Sequence, residues 1–304
     1  VFPLAVPLVL WGMIKPGPGV PAGAFPWIMA GFGVVMSAII FFSTFFYQEK
    51  HYLQEDQQQP FFTAIKECFR NLSFIIFEVI SFTVIFVQTG LMLGLNYYLD
   101  ELGVPGLPLY AALGAGIILG IIVFVNRRER WGIKNSLRLM ALLFSLGCLD
   151  LLLFGRLPVP AMIGFFCFGI GFAGGMYLIP LMNGDVIDKD EDRTGLRREG
   201  MYAGVNSFIT KPAISLANAA FLWFIKLYGY DFSAARGTQS TSAEQGILMG
   251  WVLIPAILLF VSFVALTWYP LAGEAWAKVK TRLEQLHADR ERQYLASQGL
   301  KADE

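Results

Sequence analysis

The segment from Gly200 to Tyr230 reads GMYAGVNSFITKPAISLANAAFLWFIKLYGY. It is long and apolar enough for a membrane-spanning helix, yet Lys211 lies eleven residues after Gly200. At a rise of about 1.5 Å per residue, the Lys211 Cα lies about 16 Å into a hydrocarbon layer about 30 Å thick. An ammonium group there costs about 3 kcal/mol, which disfavours a lipid-facing position. We therefore predict that Lys211 lines a solute pathway; the alternative is a buried structural lysine paired with a carboxylate.

The composition of the whole chain is that of a multi-pass membrane protein. Of the 304 residues, 56% are hydrophobic and 15% are charged, whereas soluble domains carry about 25% charged residues. The formal net charge is zero, so no basic field favours nucleic acid as a partner. Three cysteines without a CxxC pair, and two histidines in polar segments, predict neither a disulfide framework nor a metal site. We expect an all-α fold in a lipid bilayer and no cofactor.

Eight apolar runs are candidate spans, of which the first is short. They cover residues 1–14, 26–47, 72–97, 107–126, 136–155, 159–182, 201–227 and 247–270. Lys and Arg concentrate on every second connection, with four in 127–135, none in 98–106 and four in 183–200. The positive-inside rule makes 48–71, 127–135, 183–200 and the C-terminal tail cytoplasmic. The sequence thus predicts a multi-pass protein of the cell membrane with a cytoplasmic C-terminus.

Polar side chains inside the predicted spans form a second group of candidates, because hydrocarbon offers them no partners. Glu78 and Gln88 lie in the third span, Tyr177 lies in the sixth, and Asn206 precedes Lys211 by five residues. Each amide could equally form a hydrogen bond between helices. Together with Lys211 and Tyr202, these residues suggest a polar cavity between helices that contacts a solute or a coupling cation.

A strongly charged segment follows the sixth span. Residues 184–192 read GDVIDKDED, and Arg198-Glu199 follow shortly after. An EF-hand alignment that starts at Asp188 fails, because Arg193 occupies the position of the turn glycine. We predict instead a charge network, including Asp185 and Asp188, that locks cytoplasmic helix ends in one state and releases them in another.

This block resembles the glycoside–pentoside–hexuronide:cation symporters, the melibiose permease-like family of the major facilitator superfamily. The resemblance implies that the eight spans are helices five to twelve of twelve. It also implies that Lys211 lies between a cation site and a sugar site and pairs with a carboxylate from the missing half. The residues that carry it are Asp185-Val186-Ile187-Asp188, Arg198-Glu199, and a helix with Tyr202, Asn206 and Lys211. Residues 126–134, NRRERWGIK, look like a degenerate basic gating loop that adds Arg127, Arg128 and Arg130 to the charge network.

The resemblance also divides the chain into four parts. These are the last two helices of an N-terminal bundle (1–47), a cytoplasmic link (48–71), a C-terminal six-helix bundle (72–271) and a cytoplasmic tail (272–304). The spacing of apolar residues in the tail predicts a short, solvated amphipathic helix. Pro212 departs from the family, where a small residue stands, and should bend its helix. Because the chain begins Val-Phe-Pro, without an initiator Met or a basic n-region, we expect a fragment whose true N-terminus is missing.

The function that the resemblance implies is secondary active transport. A monomer would carry a small-molecule solute, a sugar or glycoside, together with Na⁺ or H⁺ by alternating access. Two alternatives stay open: a lysophospholipid or amphiphile:cation symporter of the same superfamily branch, and a non-transporting membrane scaffold. An enzyme is disfavoured, because no HExxH motif or Ser/His pair lies near a membrane face.

Overall fold

The structure, a computed structural model, describes residues 24–43, 45 and 61–297. Within those ranges the chain is helical and contains no strand. Five of the described helices are long and apolar enough to cross a bilayer, namely α3 to α7. The helices are α1 (Ala24–Ser43), α2 (Phe61–Phe69), α3 (Leu72–Glu101), α4 (Gly106–Phe154), α5 (Pro158–Thr194), α6 (Glu199–Leu227), α7 (Thr241–Trp268) and α8 (Gly273–Ser297).

The chain divides into two compact units, residues 1–53 and 54–304. The boundary falls within the segment 48–71, which is predicted to link two bundles. In the first unit, α1 is an apolar helix of 20 residues, about the length that a span requires. The predicted span 1–14 lies outside the described residues. The second unit contains α2 to α8.

α4 is a hairpin of two membrane-spanning limbs. Its 49 residues cover two predicted spans, and Gly132 between them has φ 76° and ψ 160°, outside helical geometry. A positive φ of this size suits glycine, which lacks a Cβ. Limb 106–131 runs parallel to α5, because Gly116 lies beside Gly169 and Gly120 beside Ala173. Limb 133–154 runs antiparallel to α5, so the chain reverses at Gly132 and residues 72–268 hold six spanning segments.

α5 extends well beyond its predicted span, 159–182, and ends only at Thr194. Gly195, with φ 74°, closes the helix in the left-handed conformation that is common at helix ends. The ion pair of Arg193 with Asp190, three residues apart at 3.0 Å, supports the last turn. The connection predicted over 183–200 is therefore mostly helical, and only residues 195–198 separate α5 from α6. α6 itself stays helical through Pro212.

Glycines hold α5 against both limbs of α4. A Cβ added at Gly116 would lie 2.1 Å from the carbonyl oxygen of Phe166, and one at Gly169 would lie 2.3 Å from that of Leu113. On the other limb, a Cβ at Gly147 would lie 2.8 Å from the carbonyl oxygen of Gly164. Real Cβ atoms cannot approach a backbone oxygen so closely. The small residues of the fourth and sixth predicted spans thus let the backbones of neighbouring helices touch.

We expect Gly116→Ala to destabilise the fold by about 1–3 kcal/mol, the usual cost of overpacking, or more, because the obstacle is backbone. Gly114→Ala is the matched control, since a Cβ at Gly114 meets no atom within 4 Å. Alanine is also the better helix former, so Gly114→Ala should leave stability unchanged or slightly raised. Thermal unfolding of the purified full-length variants in detergent measures both. Equal unfolding midpoints would contradict this packing of α4 on α5.

Candidate functional site

Lys211 lies on an exposed strip of α6 made of small and polar residues. Members of this strip recur every three or four residues, so they share one side of the helix. Lys211 is exposed, and within the described ranges it forms no ion pair. We call this strip, which consists of the exposed Gly204, Ser207, Lys211 and Ser215 and the half-buried Asn218, the polar stripe.

The other sides of α6 differ clearly from the polar stripe. Ala213 and Ala217 are buried and pack with Phe86 of α3. Leu216 and Trp223 are exposed and apolar. α6 therefore presents a packed side, an apolar side and the polar stripe, and Lys211 lies outside the core of its own unit.

Asn206 and Tyr202 lie on the packed side of α6. The Ser81 hydroxyl of α3 donates a hydrogen bond to the Asn206 side-chain oxygen at 3.2 Å. Tyr202 is fully buried, with its ring centroid 5.1 Å from that of Phe74. It precedes Lys211 by nine residues, about 14 Å along the helix. Both predicted site residues therefore hold α3 to α6 and lie off the polar stripe.

Glu78 is buried in α3, with 5% of its surface exposed, and neither carboxylate oxygen has a hydrogen-bond partner among the described residues. The bond from Ser81 to Asn206 sets the level of α3 against α6. Both helices run in the same direction, because Phe74 contacts Tyr202 and Phe86 contacts Ala213. Lys211, five residues after Asn206, then lies near the level of Phe86. Because Phe86 is eight residues after Glu78, the two charges are about 12 Å apart along the helix axes. Glu78 is therefore not the partner of Lys211.

Gln88 and Tyr177 face other neighbours. Gln88 of α3 is half-buried, and its side-chain nitrogen lies beside Gly175 of α5. Tyr177 is half-buried under the Arg128 guanidinium, whose central carbon is 5.6 Å from the ring centroid. Such a cation–π contact holds the end of limb 106–131 to α5. The structure thus joins Arg128 and Tyr177, which were predicted in separate groups.

Charged residues cluster where α5 ends and α6 begins. We call this side of the unit the basic end, after the Lys and Arg residues of its connections 127–135 and 183–200. Asp190 is fully buried and accepts hydrogen bonds from Arg198 at 2.8 and 2.9 Å. Arg193 pairs with Asp190 and also reaches Glu67 of α2 at 3.7 Å. Two guanidinium groups thus neutralise one buried carboxylate and connect α2, α5 and α6.

A second set of ion pairs docks α8 on α5. Lys280 binds Asp185 at 2.6 Å, and Arg290 binds the buried Glu191 at 3.1 Å. The His287 ring nitrogen lies 2.9 Å from Glu191. Trp276 and Leu283 of α8 are buried as well. The tail helix is thus held to the acidic end of α5, which the predicted solvated helix did not anticipate.

Arg197 connects three carboxylates in the turn between α5 and α6. It binds Asp188 at 3.1 Å, Glu191 at 3.0 Å and Glu199 at 2.6 Å. Burial works against the charge, but the carboxylates of Glu199 and Glu191 together raise the pKa of the Arg197 guanidinium. The predicted network residues Asp185, Asp188, Arg198 and Glu199 therefore all lie in one assembly, which we call the basic-end cluster.

The arginines of the predicted gating loop lie outside the basic-end cluster. Arg127 and Arg130 are exposed, and Arg128 contacts Tyr177 as described. Lys134, just after the Gly132 reversal, instead donates hydrogen bonds to the carbonyl oxygens of Thr267 at 2.8 Å and Tyr269 at 2.9 Å. Limb 133–154 thereby fixes the end of α7.

Cys68 of α2 is buried under the basic-end cluster. Burial, helped by the nearby carboxylate of Asp190, raises the pKa of the Cys68 thiol to about 12. The thiol is therefore protonated at neutral pH and unreactive while α2 stays docked.

Comparison with known proteins places the chain in a family. A family model described as MFS/sugar transport protein matches residues 6–273. The chain belongs to this family.

The chain is also similar to individual proteins that are named for transport. The isoprimeverose transporter of Lactiplantibacillus pentosus is 26% identical over 299 residues, 94% of this chain and 59% of that protein. The uncharacterized symporter YnaJ of Bacillus subtilis (strain 168) is 26% identical over 259 residues, 83% of this chain and 55% of the relative. The glucuronide carrier protein homolog of Escherichia coli (strain K12) is 22% identical over 199 residues, 65% and 43% of the two chains.

The match confirms the resemblance to the glycoside–pentoside–hexuronide:cation symporters and the all-α, partial major facilitator fold. The chain spans about 59% or less of the length of these three relatives. They are named as a transporter, a symporter and a carrier protein homolog, which fits a multi-pass membrane protein and a small-molecule solute. The roles of individual residues stay predictions.

Several residues of this MFS/sugar transport chain escaped the sequence reasoning. Glu191 and Arg290 are central to the basic-end cluster, and His287 lies in it rather than in solvent. A helical interpretation of 184–194 could have found the acidic side, because residues 185, 188 and 191 or 192 recur at helical spacing. Asp150, in limb 133–154, has one buried oxygen without a hydrogen-bond partner among the described residues.

Proposed function

We propose that the full-length protein is a secondary transporter that carries a sugar or glycoside together with Na⁺ or H⁺ by alternating access. The observation that carries this proposal is Lys211 on the polar stripe, near the middle of a spanning helix and outside the core of its own unit. A lysine at this depth is costly against lipid, so the polar stripe suits a water-containing cavity shared with other helices. The apolar side, with Leu216 and Trp223, suits the bilayer.

The relatives support a carbohydrate as the solute. Isoprimeverose and glucuronide, in the names of two of them, are glycosides with many hydroxyl groups. Ser207, Ser215 and Asn218 offer such a ligand hydrogen bonds on the polar stripe. The names favour a sugar over the lysophospholipid alternative.

Coupling requires that the cation and the solute change the balance between inward-open and outward-open states, which only different contacts in the two states can do. Lys211 would compete with the cation for a carboxylate on helices outside the described residues. Binding at one site then changes the affinity of the other site for its ligand. The basic-end cluster would keep α5, α6 and α8 together during the movement, with the basic end in the cytoplasm and the protein acting as a monomer.

Transport by the full-length protein in proteoliposomes tests this function. We expect labelled isoprimeverose or a labelled glucuronide to accumulate above its external concentration when a Na⁺ or pH gradient is imposed, and only to equilibrate without one. A panel of lysophospholipids in the same vesicles covers the alternative solute. Absence of accumulation under every gradient, with correctly folded protein, would contradict the proposed function.

A further inference from the structure

Glu78 is a carboxyl group for which the fold supplies no counter-charge. It lies six residues into α3, is 5% exposed, and has two oxygens without partners in the described part of the chain. Buried carboxylates are normally paired or hydrogen-bonded, because an isolated charge in a low-dielectric interior costs several kcal/mol or more. The side chain already lies within its own unit, so an outside cation could reach it only by displacing the residues that cover it.

The helices packed around α3 bring few charged groups near Glu78. α2 contributes the buried Cys68 thiol, whose pKa is raised by burial and, to a smaller extent, by the carboxylates of Asp190 and Glu78. Tyr202 of α6 packs on Phe74, one turn before Glu78.

None of the charges near Glu78 is free to neutralise it. Arg198 is bonded to Asp190. The carboxylates at the acidic end of α5 have the same charge as an ionised Glu78, and the cations near them are already paired with these carboxylates. α7 carries a single charged residue, Glu244, which pairs with Arg156.

We propose that Glu78 is a proton-binding site, occupied and neutral in this conformation. The carboxylic acid releases one H⁺ to water and leaves a carboxylate when water reaches it, and it takes one H⁺ back when it is covered again. Because Cys68 of α2 is buried beside the Asp190–Arg198 pair, displacement of α2 from α5 and α6, which stay joined, would admit that water. A proton site here makes H⁺ a coupling ion of the proposed symport, and that role rests on the proposed function.

Glu101 is a matched control on the same helix. It is 6% exposed, but Tyr230 Oη and the Gly237 backbone N–H each donate a hydrogen bond to its oxygens at 2.9 Å. Two donors thus satisfy the Glu101 carboxyl group, whereas Glu78 has none among the described residues. Glu78 and Glu101 are therefore equally buried carboxyl groups that differ in their hydrogen-bond donors.

Infrared spectroscopy of the full-length protein in lipid nanodiscs tests the proton site directly. We expect a carbonyl band of a buried protonated carboxyl at neutral pH, which shifts in D₂O, disappears in Glu78→Gln and persists in Glu101→Gln. Glu78→Asp, which keeps the carboxyl group, should retain a protonated band at a shifted frequency and covers the case in which Glu78→Gln does not fold. A wild-type spectrum without this band, or one whose band survives in folded Glu78→Gln, would overturn the proposal.

The role in transport has a separate readout. Glu78→Gln should lose uptake driven by a pH gradient and keep exchange of internal for external solute, which needs no net proton movement. Unchanged pH-driven uptake by the variant would contradict a coupling role for Glu78. If the wild-type protein transported no solute at all, the proposed function would be contradicted. The infrared evidence for a proton site would be unaffected.

Discussion

The full-length protein with Lys211→Gln is expected to fold normally and to accumulate no sugar. Lys211 is exposed on the polar stripe and forms no ion pair in the described residues, so its replacement should leave the packing of α6 on α3 intact. Its proposed competition with the coupling cation for one carboxylate disappears with the charge. The ion gradient then no longer drives the solute, and uptake in proteoliposomes should stop at equilibrium.

Lys226→Gln is the control for this experiment, because Lys226 is an exposed lysine in the last turn of the same helix. It should retain gradient-driven accumulation. If Lys211→Gln accumulated as much sugar as Lys226→Gln, the assignment of Lys211 to coupling would be wrong. A gain in stability with unchanged activity would favour the scaffold alternative.

Asp190→Asn is expected to lower the free energy of unfolding by about 3–5 kcal/mol, the usual cost of breaking a buried ion pair. The Asp190 side chain is fully buried, and Arg198, which binds it at 2.7 Å, is only 8% exposed. Asparagine has nearly the same shape but no charge, so the Arg198 guanidinium would stay buried without a counter-ion. The contacts of Arg193 that connect α2 to α5 would weaken too.

Asp289→Asn makes the same chemical change on the surface. Asp289 and Arg292 form an ion pair at 3.7 Å with side chains that are 66% and 74% exposed. Such pairs contribute about 0–1 kcal/mol, so this variant should unfold like the wild type. Thermal unfolding in detergent compares the two variants. Equal unfolding midpoints would contradict the claim that the buried ion pairs of Asp190 stabilise the fold.

Hydropathy was enough to find the membrane-spanning part of the fold. The six spans between residues 72 and 270 each correspond to a helical segment, because about 20 apolar residues in a row have few other stable arrangements. The two spans joined by residues 127–135 became the limbs of α4, which reverse at Gly132. Glycines of the fourth and sixth spans allow these helices to approach closely.

The acidic end of α5 shows where reasoning from the sequence stopped. A window of charged residues reads as a loop when only its polarity is considered. The carboxylates of this helical segment are paired with cations from elsewhere: Arg198 at the start of the next helix, and Lys280 and Arg290 of α8, which lie 95 and 99 residues after their partners. Pairings over such distances cannot be read from local periodicity.

The sequence was sufficient for some residues of the candidate site and insufficient for others. Lys211 stood out because a charge in a span is rare and costly, and the structure places it on an exposed stripe of small and polar residues. The neighbours Asn206 and Tyr202 could not be sorted by sequence, since an amide or a phenol in a span can serve either packing or a ligand. Only the contacts with Ser81 and Phe74 assign them to the packed side of α6.

The accessibility of position 211 tests the central claim most directly. In the full-length protein without its native cysteines, Lys211→Cys would be exposed in proteoliposomes to a charged, membrane-impermeant thiol reagent, with Leu216→Cys on the apolar side as the reference. We expect residue 211 to react, to be protected by saturating sugar, and to react far faster than residue 216. A cysteine at 211 that reacts only with lipid-soluble reagents, or not at all, would contradict a water-filled solute pathway along the polar stripe.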